Sequence, residues 1–219
     1  MRTTTFLLTI LFTIITFSPL YAASDRCPRH QIKTNLKSKL AKTRVFKGTS
    51  NDFSDYILGH HRGGKILGFV NQSEIYTKFK YKFEINKVGE NKYCINLDEV
   101  KGYFYAAPKL YLPTDYKKSS CEYKQIRKHE QRHLNAVYNF HKRNASKFSS
   151  HLGRIARTIP VAQPTTKQEV EKVKQAIIDY FEGKFRSFEA KELLRLDAAQ
   201  KKIDSPSEYI GVRKRCKNW

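Results

Sequence analysis

Residues 119–148 read SSCEYKQIRKHEQRHLNAVYNFHKRNASKF, and nothing between Tyr123 and Phe148 breaks a helix. Ser119 and Glu122 form a capping box, which sets the helix start just ahead of Cys121. At about 100° per residue, Ile126, His129, Glu130, His133, Val137, Phe140 and Phe148 share one broad face. Lys124, Lys128, Gln131 and Arg132 point away from it. Two histidines and a glutamate therefore stand on the stripe that should meet the core, where polar groups are costly unless partnered.

Their spacing suggests the partner. His129 and His133 are one helical turn apart and can bind a single Zn²⁺, while Glu130 can take a proton from a water that the ion polarises. Such a site needs a third protein ligand. The metzincin pattern is excluded, because Ala136 and Asn139 stand where it requires glycine and histidine. His141 lies ~12 Å further along the same helix, too far to share the ion, and reads as a core histidine. Glu169 and Glu171 lie at a suitable distance downstream, but they begin a helix and have capping and dipole roles there. His60-His61 and the segment Asp204–Tyr209 stay open as donors.

Upstream of the helix the pattern is that of strands. Short strands fit His30–Leu36 and Thr43–Lys47, and a small helix fits Asp52–Leu58, capped by Ser50 or Asn51 and ended by Gly59. Lys65–Val70, Glu74–Ile85, Lys92–Leu97 and Lys101–Leu112 are rich in Tyr, Phe, Ile and Val, with a turn at Val88–Asn91. Pro108 marks an edge or a bulge. Lys78, Lys80 and Lys82 alternate with Phe79, Tyr81 and Phe83. That alternation fits a nucleic-acid-binding strand, but it fits better a strand with an aromatic buried face and a lysine solvent face. Downstream, a second capping box at Thr166 and Glu169 opens a helix that Gly183 interrupts. A further helix runs to about Ile203, and Pro206 stops it. The fold class is α+β: an N-terminal antiparallel sheet, a long motif-bearing helix, then C-terminal helices.

The chain begins with Met1-Arg2, an apolar run from Phe6 to Phe17, and Ser18–Ala23, which suits signal-peptidase cleavage near Ala22 or Ala23. Residues 1–23 therefore read as a signal peptide and 24–219 as a single exported domain, periplasmic or secreted. No second long apolar run occurs, so the mature chain should hold no transmembrane segment. Cys27, Cys94, Cys121 and Cys216 read as two disulfides with the pairing open, and no C-x-x-C pair supports a cysteine metal site. Lys and Arg number 42 against 20 Asp and Glu, for a formal charge of +22. That surplus favours acidic partners, and it supports a second reading: a non-catalytic basic protein holding an acidic envelope polymer or other anionic surface.

The order of features resembles the bacterial family of predicted secreted zinc-dependent proteases over roughly residues 43–148. The resemblance is carried by a short strand into Gly48-Thr49-Ser50, a small helix, and Gly68-Phe69-Val70 before the aromatic strand Tyr76–Phe83. It continues through Cys94, a strand ending in Leu112-Pro113, and His-Glu-x-x-His on a long helix. The family's C-terminal segment, an Asp followed by Ser or Thr and then His, is echoed by Asp204-Ser205-Pro206-Ser207-Glu208-Tyr209. Tyr209 then stands where the family would offer a histidine, and Arg132 replaces the small residue often found before the second histidine. The resemblance implies a zincin-like fold and a zinc peptidase acting on peptide or protein substrates. It assigns His129 and His133 as metal ligands, Glu130 as catalytic base and Tyr209 as a candidate third ligand.

Overall fold

The computed structural model describes residues 26–54 and 68–217, with only the backbone of Ser54, Tyr209 and Arg213 among them. The leader, His60-His61, the predicted strand start at Lys65 and the end of the predicted helix after Ser54 lie outside these residues. Six strands are followed by long helices: β1 (Lys33–Leu40), β2 (Arg44–Gly48), β3 (Phe69–Asn71), β4 (Ile75–Gly89), β5 (Lys92–Ala106) and β6 (Lys109–Pro113). Helix α1 (Ser50–Ser54) lies between β2 and β3. Helices α2 (Cys121–Thr158), α3 (Val170–Ile203) and α4 (Pro206–Arg213) complete the described chain.

The strands form two three-stranded sheets, ordered β1-β5-β4 and β2-β6-β3. The expected antiparallel sheet is corrected here to mixed sheets. The β4–β5 and β3–β6 pairs are antiparallel, whereas β1 runs parallel to β5 and β2 parallel to β6. Pro108 accounts for there being two sheets. It has no backbone N–H to give a ladder, so the long run from Lys92 to Pro113 divides into β5 and β6. The N-terminal segment follows it across the break, with Ala41 N–H donating to the Ala106 carbonyl at 2.8 Å.

Helix α2 spans both sheets. Its first half packs Tyr123, Ile126 and Leu134 against Leu110 and Leu112 of β6. Its second half packs Val137, Phe140, Phe148 and Leu152 against Val100 and Phe104 of β5 and against Phe181 and Phe185 of α3. Gly102 lets this happen on the covered face of β5, since a Cβ there would lie 2.5 Å from Leu36 Cδ1 and 3.2 Å from Leu152 Cδ1. The aromatic half of the β4 alternation faces the same core: Phe79 meets Phe185 edge-on at 4.7 Å between ring centroids.

Two helix boundaries differ from expectation. Ser120, not Ser119, caps α2, its hydroxyl accepting from Tyr123 N–H at 3.2 Å. Gly183 does not interrupt α3, which runs unbroken to Ile203, because the fully buried Phe181 and Phe185 on either side hold that turn in place. Both disulfides are present, Cys27–Cys94 and Cys121–Cys216. Among the described residues no helix is long and apolar enough to cross a membrane.

Candidate metal centre

α2 and α3 run antiparallel, as contacts at Thr158–Tyr180, Lys147–Glu192 and His133–Gln200 demonstrate. The C-terminal end of α3 therefore comes to rest beside the first half of α2, over the two histidines. There the chain breaks. Pro206 disfavours helical backbone at the residue before it, and Ser205 is extended at φ −65°, ψ 148°. Asp204 is left as the C-cap of α3, its N–H held by the Gln200 carbonyl at 3.1 Å, and its carboxylate turns onto α2. The Cys121–Cys216 bridge ties the chain beyond α4 to the first residue of α2 and braces this corner.

The result is a triangle of donor atoms. Asp204 Oδ1 lies 3.2 Å from His129 Nε2 and 3.0 Å from His133 Nε2, and the two imidazole nitrogens are 3.2 Å apart. Ligands held tetrahedrally on zinc at 2.0–2.1 Å would be separated by about 3.3 Å, so the triangle has nearly the edge length such an ion requires. Among the described residues these three are the group whose donor atoms could hold a metal ion.

The surroundings of the two imidazoles differ. His133 Nδ1–H donates to Gln200 Oε1 at 2.5 Å, which leaves the Nε2 lone pair toward the triangle, as metal-ligating histidines are normally set. Burial pulls the His133 pKa down, but the hydrogen bond to Asp204, the charges of Glu130 and Asp204, and Gln200 outweigh it, for a net rise. At His129, Arg132 Nη2 lies 3.0 Å from Nδ1, and Arg132 Nη1 donates to Glu208 Oε2 at 2.6 Å. An Nδ1 that accepts from Arg132 places the neutral ring's proton on Nε2, facing Asp204. Ligation through Nε2 thus requires Arg132 to release His129 while it can keep Glu208.

Glu130 occupies the second position of the motif and is 4 % exposed. Its Oε2 is buried and has no hydrogen-bond partner among the described residues. Burial pushes its carboxyl up to about 8, against the downward pull of His133 and with Asp204 adding to the rise. Gly68, entering β3, is packed against it: a Cβ there would meet Glu130 Cγ at 3.3 Å and the Tyr111 carbonyl oxygen at 3.0 Å.

His129, Glu130 and His133 are thus together, and the third donor brought to them is Asp204, at the head of the segment singled out by sequence. Nothing is described of the Tyr209 side chain, and its backbone sits in the second turn of α4. Glu169 accepts from Thr165 and Thr166, and Glu171 pairs with Lys174, so neither comes to the histidines. His141 is buried and stacks on Phe104 at 4.6 Å, as a core histidine would. Gln200 was not legible as a site residue, and its one sequence signal is a position one turn before Asp204. Set against models of known protein families, against curated proteins and against solved structures, the chain matches none of them.

Proposed function

We propose that this chain is an exported, zincin-like zinc peptidase, with His129, His133 and Asp204 as the metal ligands and Glu130 as the general base. One observation carries the proposal: three donor atoms from two helices converge at 3.0–3.2 Å, beside a buried carboxylate oxygen with no partner among the described residues. The resemblance to predicted secreted zinc-dependent proteases supports it, and the two disulfides suit an oxidising compartment, periplasmic or extracellular. When bound, zinc supplies a Lewis acid that polarises a carbonyl and makes water acidic near neutral pH.

Glu130 then does the proton work. Its buried, unpartnered carboxyl oxygen is the group beside the triangle that would take a proton from water and return it to the departing amine, with a bound cation favouring the ionised form that this requires. Gln200 holds the His133 ring in the ligating orientation, and Glu208 gives Arg132 an alternative partner to His129. A peptide substrate is favoured by β3. Among the described residues this short strand pairs with β6 alone, so its other edge can take an extended chain by strand addition, next to Gly68 and Glu130.

Elemental analysis of dialysed protein should find about one Zn²⁺ per chain, lost in His129→Ala/His133→Ala and reduced in Asp204→Ala. Glu130→Gln should keep the zinc and abolish hydrolysis of an unstructured protein substrate. Absence of zinc from the wild type, with the double variant equally stable, would sink the proposal.

A further inference from the structure

The uncovered face of the β1-β5-β4 sheet carries a second feature, on the side away from α2 and α3. The strand register sets Lys37, Tyr103 and Lys78 side by side across the three strands, and Lys39, Tyr105 and Tyr76 on the next rung. The lysines are exposed and the tyrosines half-exposed. Tyr103 and Tyr105 stack along the central strand with centroids 6.0 Å apart, and Tyr76 lies 5.3 Å from Tyr105. A third rung adds Lys80 and Lys101. The outcome of the β4 alternation is therefore double: Phe79, Tyr81 and Phe83 pack inward, while its lysines flank tyrosines supplied by β5.

Beyond the rung of Glu99, the charge on the rungs of Tyr103 and Tyr105 is of one sign. Lys101 pairs with Glu99, and Lys33 and Lys82 pair with Asp98, all toward one end of the sheet. Lys37, Lys39, Lys78 and Lys80 have no acidic partner among the described residues, and Lys78 Nζ rests 4.8 Å from the Tyr76 ring centroid. A face that served solubility alone would mix both signs and would not leave three phenol rings half-open to water. Two lysine rows about 10 Å apart, from the strand spacing, with a line of rings between them, suit a chain with charge on its backbone and flat rings on its side. An acidic peptide would use the lysines and leave the rings idle, and a duplex would hide its bases.

We infer that this sheet face binds single-stranded nucleic acid, its phosphates on Lys37, Lys39, Lys78 and Lys80 and its bases stacked on Tyr103 and Tyr105. The test is fluorescence anisotropy with a short fluorescein-labelled oligothymidylate, competed with duplex DNA of the same length, inorganic polyphosphate and polyglutamate. The wild type should bind the single strand in preference to all three competitors. Tyr103→Ala/Tyr105→Ala should weaken binding by roughly tenfold or more, and Tyr103→Phe/Tyr105→Phe should restore it. Lys37→Ala/Lys78→Ala should flatten the slope of log affinity against log salt by about 1.4, the loss of two phosphate contacts on a single strand. Unchanged melting temperatures would show that all three variants fold. No binding at low salt overturns the proposal. So does equal competition by polyphosphate, polyglutamate or duplex with no effect of tyrosine truncation, which would make the face a general polyanion surface.

Discussion

Replacing Gln200 by methionine tests whether the His133 ring is held for metal binding or merely packed. The two side chains are similar in length, so the buried position stays filled while the acceptor for His133 Nδ1–H, now at 2.5 Å, disappears. Two responses are open to the ring. Nδ1–H can stay without an acceptor in a buried place, which costs about 1–3 kcal/mol. Or the proton can move to Nε2, which occupies the lone pair aimed at the triangle and removes a ligand. Either response must be reversed or endured on binding metal, so zinc affinity should fall by roughly 10–100-fold, the range for a lost outer partner of a ligating histidine. In free energy that is about 1.4–2.7 kcal/mol, inside the range for the orphaned donor. The other contacts of the Gln200 amide, to Gln72 Oε1 at 3.3 Å and to the His133 carbonyl at 3.4 Å, are long and should contribute little. Competition with a chromophoric chelator at neutral pH measures the change. Gln200→Glu provides the control, because its carboxylate accepts the same proton and should keep or raise the affinity. If Gln200→Met binds zinc as the wild type does while His133→Ala loses it, Gln200 does not orient the ligand.

Three further substitutions examine the frame around the site. Gly102→Ala puts a methyl 2.5 Å from Leu36 Cδ1 in a packed core and should cost about 1–3 kcal/mol in urea denaturation; Leu36→Val in the same chain should recover part of it. Cys121→Ser/Cys216→Ser opens a link across 95 residues and should lower stability by about 4–5 kcal/mol on the loop-entropy estimate. Zinc affinity should fall with it, because the bridge braces the corner that carries Asp204; a stable variant with unchanged zinc binding would show the bridge to be irrelevant to the site. At Asp98 the hydrogen bond from Lys82, then that from His30 and the charge of Lys33, hold the carboxyl at about 2, below its ordinary 3.8. A depressed carboxyl stabilises the fold fully above its unfolded value and loses that contribution as pH falls through its folded value. Asp98→Asn should therefore melt below the wild type at pH 7, and the gap should close between about pH 4 and pH 2; a gap independent of pH would refute the ion-pair account.

The most legible element is α2, since its apolar stripe repeats over seven turns and its polar exceptions fall in one motif. Its cap was displaced by one residue because Ser119 and Ser120 offer the same hydroxyl, and only the folded chain selects Ser120 for Tyr123 N–H. Gly183 misled for a related reason. A glycine weakens a helix by about 1 kcal/mol, whereas the buried aromatic rings of Phe181 and Phe185 decide the local structure. The parallel pairings were hidden, because residues 33–48 are lysine-rich and short, and their partners on β5 and β6 lie more than sixty residues away. Gln200 and Asp204 were harder still: they are 67 and 71 residues from His133 and reach it through the antiparallel packing of α2 on α3. Local spacing discloses the two donors on a single helix, while the third depends on where another helix stops.

The metal centre and the tyrosine–lysine face also stand in a definite spatial relation. The donor triangle is built from the first half of α2 and the end of α3, whereas the core of Val100, Phe104, Phe140, Phe148 and Phe185 fills the space under the β1-β5-β4 sheet. Tyr103 and Tyr105 lie on the opposite side of that sheet from this core. No described side chain of the triangle touches the sheet's outer face, and the core between them is close-packed with one arrangement. Coupling between two ligands needs an element with two states that both ligands bias. The described core along this path links no side chain of the triangle to the outer face, so zinc should leave oligothymidylate affinity unchanged within about twofold, which corresponds to less than 0.5 kcal/mol of coupling. Anisotropy titrations of zinc-loaded and chelator-treated protein measure it directly. A larger effect would require α2 to shift as a body when metal binds, carrying the sheet with it. The Arg132 contact to His129, which must open for Nε2 to ligate, is where such a shift would begin.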